Sequence, residues 1–283
     1  MPERSGQDLR LAVLIDADNA SRTAMRDVMD EIAVYGTPTI KRIYGDWTTP
    51  NMASWKPILL ETAITPIQQY GYTTGKNSTD SAMIIDAMDI LYTGQVDGFV
   101  LVSSDSDFTR LAVRLREAGM KVYGMGERKT PSPFIVACDK FVYIEVIRDA
   151  AEKARRNEGR KQEPPKPERV PKEPHKTAVK RPAAKKPEEA PAPAELEPAQ
   201  SVPPEMIMLI ADSMEMLGDE DGYVFLGDLG NLLVKKQPDF DPRNFGFSKL
   251  TNLIRALDRF EVDIRSTNQP HVKHIFVRDR RRK

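Results

Sequence analysis

The first 150 residues contain no histidine; the three in this 283-residue chain are His175, His271 and His274. A Ser-His-Asp triad, a Cys-His pair and a histidine-based metal-free nuclease are therefore excluded from that half. Cys138 is the only cysteine, so neither an intrachain disulfide nor a cysteine zinc site can form. No Gly-x-x-x-x-Gly-Lys-Ser/Thr phosphate loop and no Gly-x-Gly-x-x-Gly turn occurs, which leaves nucleotide-cofactor folds without support. No apolar run is long enough to cross a bilayer. Met1 to Arg10 lacks the apolar core of a signal peptide. A soluble cytoplasmic protein is expected.

Net charge is missing too, with 42 basic and 42 acidic side chains. The balance hides an asymmetry. Residues 1–150 carry 16 basic and 20 acidic groups, and residues 151–200 carry 13 and 9. That middle stretch holds ten of the 22 prolines and no aromatic residue. It cannot bury enough apolar area to offset its ordering entropy, so a disordered tether is expected over 151–200. Basic pairs such as Lys185–Lys186 give it a second reading, as a holder of RNA. The tether divides the chain into folded pieces at 1–150 and 201–283.

The first piece reads as α/β. Leu9 to Ile15, Thr39 to Tyr44, Thr65 to Tyr70, Gly98 to Val102, Lys121 to Met125 and Phe141 to Ile144 have the composition of strands. Between them lie helical patterns: one capped by Ser21 with Met25, Val28, Met29 and Ile32 on one face, others at 51–62 and 80–92, and one ending at Ala118 before Gly119. Alternating strands and helices imply a mostly parallel sheet, whose ligands bind beyond the C-terminal strand ends.

Acids sit at those ends. Asp16 and Asp18 follow the first strand, Asp105 and Asp107 follow the strand 98–102, and Asp80 opens the long helix. Clustered carboxylates repel one another and need a proton or a cation. Oxygen-only ligands favour Mg²⁺ or Mn²⁺, which can bind a phosphodiester and activate water. Plainer roles exist as well. Asp18 can cap the following turn, Asp80 can serve the helix's first turn, and Asp86 and Asp89 can form a solvated face. Asn19 can cap a turn, bind a substrate phosphate or orient Asp16. Methionines 25, 29, 83 and 88 read as core filling.

Ile15-Asp16-Ala17-Asp18-Asn19, Lys76-Asn77-Ser78-Thr79-Asp80 leading to Ile85-Asp86-Ala87-Met88-Asp89, and Ser103-Ser104-Asp105-Ser106-Asp107-Phe108 resemble the NYN domain, a PIN-like nuclease family. The stretch Lys121 to Pro131 is similar to the bacterial LabA-type branch. The resemblance covers roughly residues 9–147. It implies a PIN-like fold, a divalent metal and RNA cleavage, expected to be endonucleolytic. Asp16, Asp80, Asp105 and Asp107 match the acidic positions and Asn19 the asparagine of the first motif, with Asp86 a further candidate metal ligand. Lys76 and Arg110 are candidate RNA contacts.

The second piece reads as a small winged helix. Helices are expected at 203–217, 225–234 and, capped by Ser248, 249–260. A hairpin pairs 261–265 with 274–278 around Thr267 to Pro270. Leu226-Gly227-Asp228-Leu229-Gly230 and Asp239 to Leu250 resemble the LOTUS, or OST-HTH, domain over about 202–278. That implies RNA binding, or docking of a helicase or other protein, with Arg243, Lys249, Arg255 and Lys273 as candidate contacts. Arg278 with Arg280 to Lys283 forms a basic tail. His271 and His274 read as surface residues of the hairpin.

Two rivals remain. Asp16-Ala17-Asp18 has the spacing of a haloacid-dehalogenase-type phosphatase, with Asp16 as nucleophile and Asp18 as general acid. A non-catalytic RNA- or protein-binding adaptor would use the same surfaces without cutting.

Overall fold

The computed structural model describes residues 8–70, 78–161, 202–218, 221–266 and 273–281. Six strands form one all-parallel sheet: β1 (Arg10–Asp16), β2 (Thr37–Gly45), β3 (Thr65–Gln68), β4 (Gly98–Val102), β5 (Lys121–Gly126) and β6 (Lys140–Tyr143), in the order β3-β2-β1-β4-β5-β6. β1 and β4 are buried on both faces, hence their unbroken apolar sequences. Helices cover both sides. α1 (Met25–Ala33), α2 (Lys56–Thr62) and α6 (Ile144–Lys161) pack on Leu11, Val13 and Ile15. α3 (Ser78–Thr93), α4 (Thr109–Glu117) and α5 (Ser132–Ala137) pack on Ala12 and Leu14. The expected α/β class is what the chain adopts.

The order reverses direction between β1 and β4. At such a switch point the connections leave to opposite sides and a crevice opens beyond the strand ends. Asp16 and Ser103 stand on its two lips, since Ile15 pairs with Val102 in the register.

Several local expectations change. Ser21 makes no helix cap; its hydroxyl pairs with Thr23, and a 3₁₀ turn over Arg22–Ala24 precedes α1. The 51–62 helix begins as a 3₁₀ turn, Pro50–Trp55. α6 runs on to Lys161, into the stretch expected as tether, and its Arg155 reaches back to the buried Asp27 of α1. Residues 162–201, with Lys185–Lys186, lie outside the described residues, as do the 71–77 loop and the hairpin turn 267–272.

The C-terminal part is a small α+β unit. α7 (Pro204–Leu217), α8 (Leu226–Lys236) and α9 (Leu250–Ala256) pack on an antiparallel sheet, β7-β9-β8, formed by β7 (Tyr223–Phe225), β8 (Phe260–Ser266) and β9 (Lys273–Asp279). The expected helix 225–234 starts one residue later, at Leu226, because Tyr223–Phe225 are used as a strand. The helix expected over 249–260 ends at Ala256, and Ser248 gives it no side-chain cap.

This unit docks on the first through the loop before its 3₁₀ turn, Pro242–Phe245. The Phe141 amide of edge strand β6 donates to the Pro238 carbonyl at 2.9 Å. The Tyr143 hydroxyl donates to Asp239 at 2.7 Å. Arg243 donates two bonds to Glu31 of α1, at 2.8 and 2.7 Å, while also bonding Asp241. An edge strand's unpaired backbone is thereby partly covered.

Candidate active site

One carboxylate oxygen from each of Asp80, Asp105 and Asp107 lies within 4.8 Å of the other two. Asp105 and Asp107 are held where they are by the turn that leaves β4: the Asp105 carboxylate caps the 3₁₀ turn Ser106–Phe108 by accepting the Asp107 amide at 2.9 Å. Asp80 comes from the first turn of α3. That position favours a carboxylate by about 0.3–1 kcal/mol through the helix dipole. Burial, then the charges of Asp16, Asp105, Asp107 and Asp18, act the other way and push its pKa up to about 6. Repulsion and desolvation outweigh the dipole.

Asp16 stands behind this triad. It is 1 % exposed. Its Oδ1 accepts the Asp18 amide at 3.0 Å, and its Oδ2 accepts Asn19 Nδ2 at 2.8 Å and Ser103 Oγ at 2.9 Å. The same Ser103 hydroxyl accepts the Asp105 amide at 3.1 Å. Ser103 therefore ties the end of β1 to the turn that carries Asp105. Asp18 is pushed above the usual aspartate range by burial and by Asp16 and Asp46, against a hydrogen bond from Thr79.

Asp86 does not join the cluster. It bonds Arg42 and the Tyr44 hydroxyl of β2. Six residues beyond Asp80 it lies about 9 Å further along the helix, so its candidacy as a metal ligand gives way to an ion pair locking α3 to the sheet. Arg110 is exposed on the first turn of α4, beside the triad's turn. Lys76 lies outside the described residues. In the C-terminal unit Lys249 and Arg255 are exposed, Arg243 is engaged in docking, and of Lys273 only the backbone is described.

Sequence reasoning missed Ser103, Thr79, Asp46 and the contact between Ser104 and Glu127. Ser103 and Thr79 lay inside the quoted motifs, but only the acids beside them were weighed. Asp46, just past β2, gave a signal of the same kind as Asp16: an acid at a strand end. The Glu127 amide donates to Ser104 Oγ at 2.9 Å, which ties the turn after β5 to the acidic turn; of the cations that follow, Lys129 pairs with Glu127 and Arg128 lies over the Tyr143 ring. Ser103→Ala removes a buried bridge and is expected to cost about 1–3 kcal/mol, read as a lowered urea midpoint with an unchanged slope. An unchanged midpoint would mean that the bridge is not holding the two strand ends.

The donor set suits a hard cation. It is all carboxylate, and neither Asp80 nor Asp105 enters a salt bridge among the described residues. The residual repulsion at Asp80 is what a divalent ion would relieve.

Residues 10–145 match the NYN domain model, and residues 196–272 match the OST-HTH/LOTUS domain model. Three solved structures are similar to parts of the chain. A protein of unknown function from Vibrio parahaemolyticus is 23% identical over 50% of this chain and 96% of that one, with a TM-score of 0.42. An uncharacterised protein from Nitrosomonas europaea is 30% identical over 34% of this chain and 92% of that one, with a TM-score of 0.27. A protein from Chromobacterium violaceum is 25% identical over 31% of this chain and 91% of that one, with a TM-score of 0.24. No curated protein matches. No described helix is long and apolar enough to cross a membrane.

Proposed function

Because the chain carries an NYN domain of the nuclease superfamily followed by an RNA-binding OST-HTH/LOTUS domain, we propose that it is a divalent-metal-dependent ribonuclease, cutting within RNA strands. The observation that carries this is the convergence of Asp80, Asp105 and Asp107 at the sheet's switch point. These three would hold Mg²⁺ or Mn²⁺. When bound, the cation supplies Lewis-acid activation of water and neutralises charge on the phosphodiester.

The chain's own residues do the rest. Asp107 is exposed and Asp105 half-exposed, so the triad opens to solvent and to a long polymer. Asp16 and Ser103 fix the β1 turn and the Asp105 turn relative to each other. Asn19 stays bonded to Asp16, which orients its amide from behind the cluster. Arg110, exposed on the first turn of α4 just past the triad's turn, adds a cation that would offset part of the acids' repulsion of a polyanion.

The phosphatase alternative loses support from the same geometry. A nucleophilic Asp16 would need a free, accessible oxygen, yet both of its oxygens are bonded and the side chain is buried.

The test is cleavage of end-labelled single-stranded and structured RNAs with Mn²⁺, Mg²⁺ or EDTA, comparing the full chain with Asp105→Asn. Metal-dependent cutting that disappears in the variant, with internal products, is the expected result. RNA bound equally by both proteins and cut by neither would make the chain a binding adaptor.

A further inference from the structure

The outer face of the C-terminal sheet has a composition that shielding from water does not explain. Alternation along the strands sends Val224 and Val277 inward, at 2% and 0% exposure, against Ile210, Leu229 and Ile254. The opposite face therefore carries Tyr223 and Phe225 from β7, His274, Phe276 and Arg278 from β9, and Arg265 from β8. Sheet faces turned to solvent ordinarily alternate in polar side chains. Here Phe225 is 38% exposed and His274 is exposed.

The rings are neighbours. Phe225 lies 5.4 Å from His274 and 5.9 Å from Phe276, centre to centre. The Arg265 guanidinium sits 4.7 Å from the Tyr223 ring and 4.4 Å from Phe276, and that of Arg278 sits 4.8 Å from Tyr223. Both cations are also paired on this face, Arg265 with Asp263 and Arg278 with Glu261, each at 2.8 Å. The ring of Phe225 rests over Gly227, where any side chain's first carbon would come within 2.6 Å of it. The result is a continuous row of π faces and guanidinium planes with little net charge.

We propose that this face is a stacking platform for unpaired nucleobases. Aromatic rings and guanidinium planes bind the faces of splayed bases, at about 1–3 kcal/mol per base. A duplex hides those faces inside its stack. A polyanion captured through phosphates would instead need unpaired cations, whereas the two described cations of this face, Arg265 and Arg278, are both paired. The proposal deepens the reading that the chain acts on RNA. It gives the C-terminal unit a substrate class, single-stranded segments, and a site separate from Lys249 and Arg255.

Binding is measured on the full chain by fluorescence anisotropy with a labelled oligouridine of about 12 nucleotides and with a matched RNA duplex. EDTA is present throughout, so the readout is independent of cleavage. The oligouridine is expected to bind at least tenfold more tightly than the duplex, with a shallow dependence on salt. Phe225→Ala with His274→Ala should lower its affinity about tenfold and leave duplex binding unchanged. Phe225→Trp should retain or raise it, which a loss of folding would not allow. Equal affinity of the wild type and the double variant, or no preference for single strands, overturns the platform and leaves the nuclease reading standing. Loss of self-association by light scattering in the double variant, with RNA affinity intact, makes the face a contact between copies and equally overturns it.

Discussion

Asp80→Asn will raise the thermal stability of the metal-free protein while abolishing its RNA cleavage. The two effects have one cause. Asp80 is half-buried among the carboxylates of Asp16, Asp105, Asp107 and Asp18, and its ionised form is disfavoured there, as its pKa of about 6 records. Asparagine keeps the shape and removes the charge. The side chain retains enough solvent contact that its shift must be discounted for screening. The gain is then on the order of 1 kcal/mol, or about 2–4 °C in Tm for a unit of this size. On the proposed reading Mn²⁺ or Mg²⁺ would relieve the same repulsion by binding only the folded state, so the wild type should gain Tm with metal concentration and the variant should gain less. Cleavage should fall by on the order of a hundredfold or more, since even residues that only support metal ligands cost 10- to 100-fold. Scanning calorimetry with and without metal, alongside cleavage assays, checks both halves. A variant that is less stable without metal would mean that Asp80 serves the helix start and not the cluster. Stabilisation with full activity would remove Asp80 from the reaction.

How much of this was legible in the sequence depends on the range of the interaction. β1 and β4 were readable because a strand buried on both faces must be apolar throughout, and because an acid ending such a run has few structural excuses. Asp16, Asp105 and Asp107 were located on that logic. Their division of labour was not legible. Asp16 is withdrawn behind the triad by Ser103, a partner 87 residues away in the chain. Asp86 reads as a further ligand only through the resemblance, whose second motif runs on from Asp80 to Asp86. Its true partners, Arg42 and Tyr44, come from β2 and are set by the packing of α3 on the sheet. The short strand β7 is not legible, and its last residue, Phe225, reads as the start of the next helix, because three residues carry no period of their own. Helix α6 is absent from the sequence reading, because charge-rich sequence resembles a tether until an anchor such as Asp27 is seen. Arg243 is the largest displacement of meaning: a cation in a domain expected to bind RNA, it is occupied within the chain.

That occupation yields the second large effect. Arg243→Ala should undock the C-terminal unit from the NYN domain and lower the stability of the assembled chain by about 3 kcal/mol. The Arg243 and Glu31 side chains are only 23% and 12% exposed, and Asp241 closes the other side of the guanidinium. Removing the cation leaves two shielded carboxylates facing each other. Burial pushes Glu31 upward, but the bonds from Arg243 and Tyr35 outweigh it and hold its pKa below the ordinary 4.5. A lowered carboxylate stabilises above its unfolded value, and that contribution is lost as the pH falls through the folded one. Docking should therefore be complete at neutral pH and loosen only below about pH 4.5. Small-angle scattering on the full chain would show the radius of gyration rising on acidification, and at neutral pH in Arg243→Ala. A double-mutant cycle with Glu31→Ala isolates the pair: the double variant should lose clearly less than the sum of the singles. Additive losses, or a radius of gyration unchanged by Arg243→Ala, would show that the units are held together by other contacts. With docking intact, the RNA-binding unit has a fixed position relative to the acidic triad, so Arg243→Ala should also change which positions of a long RNA are cut while leaving cleavage of a short oligonucleotide unaffected.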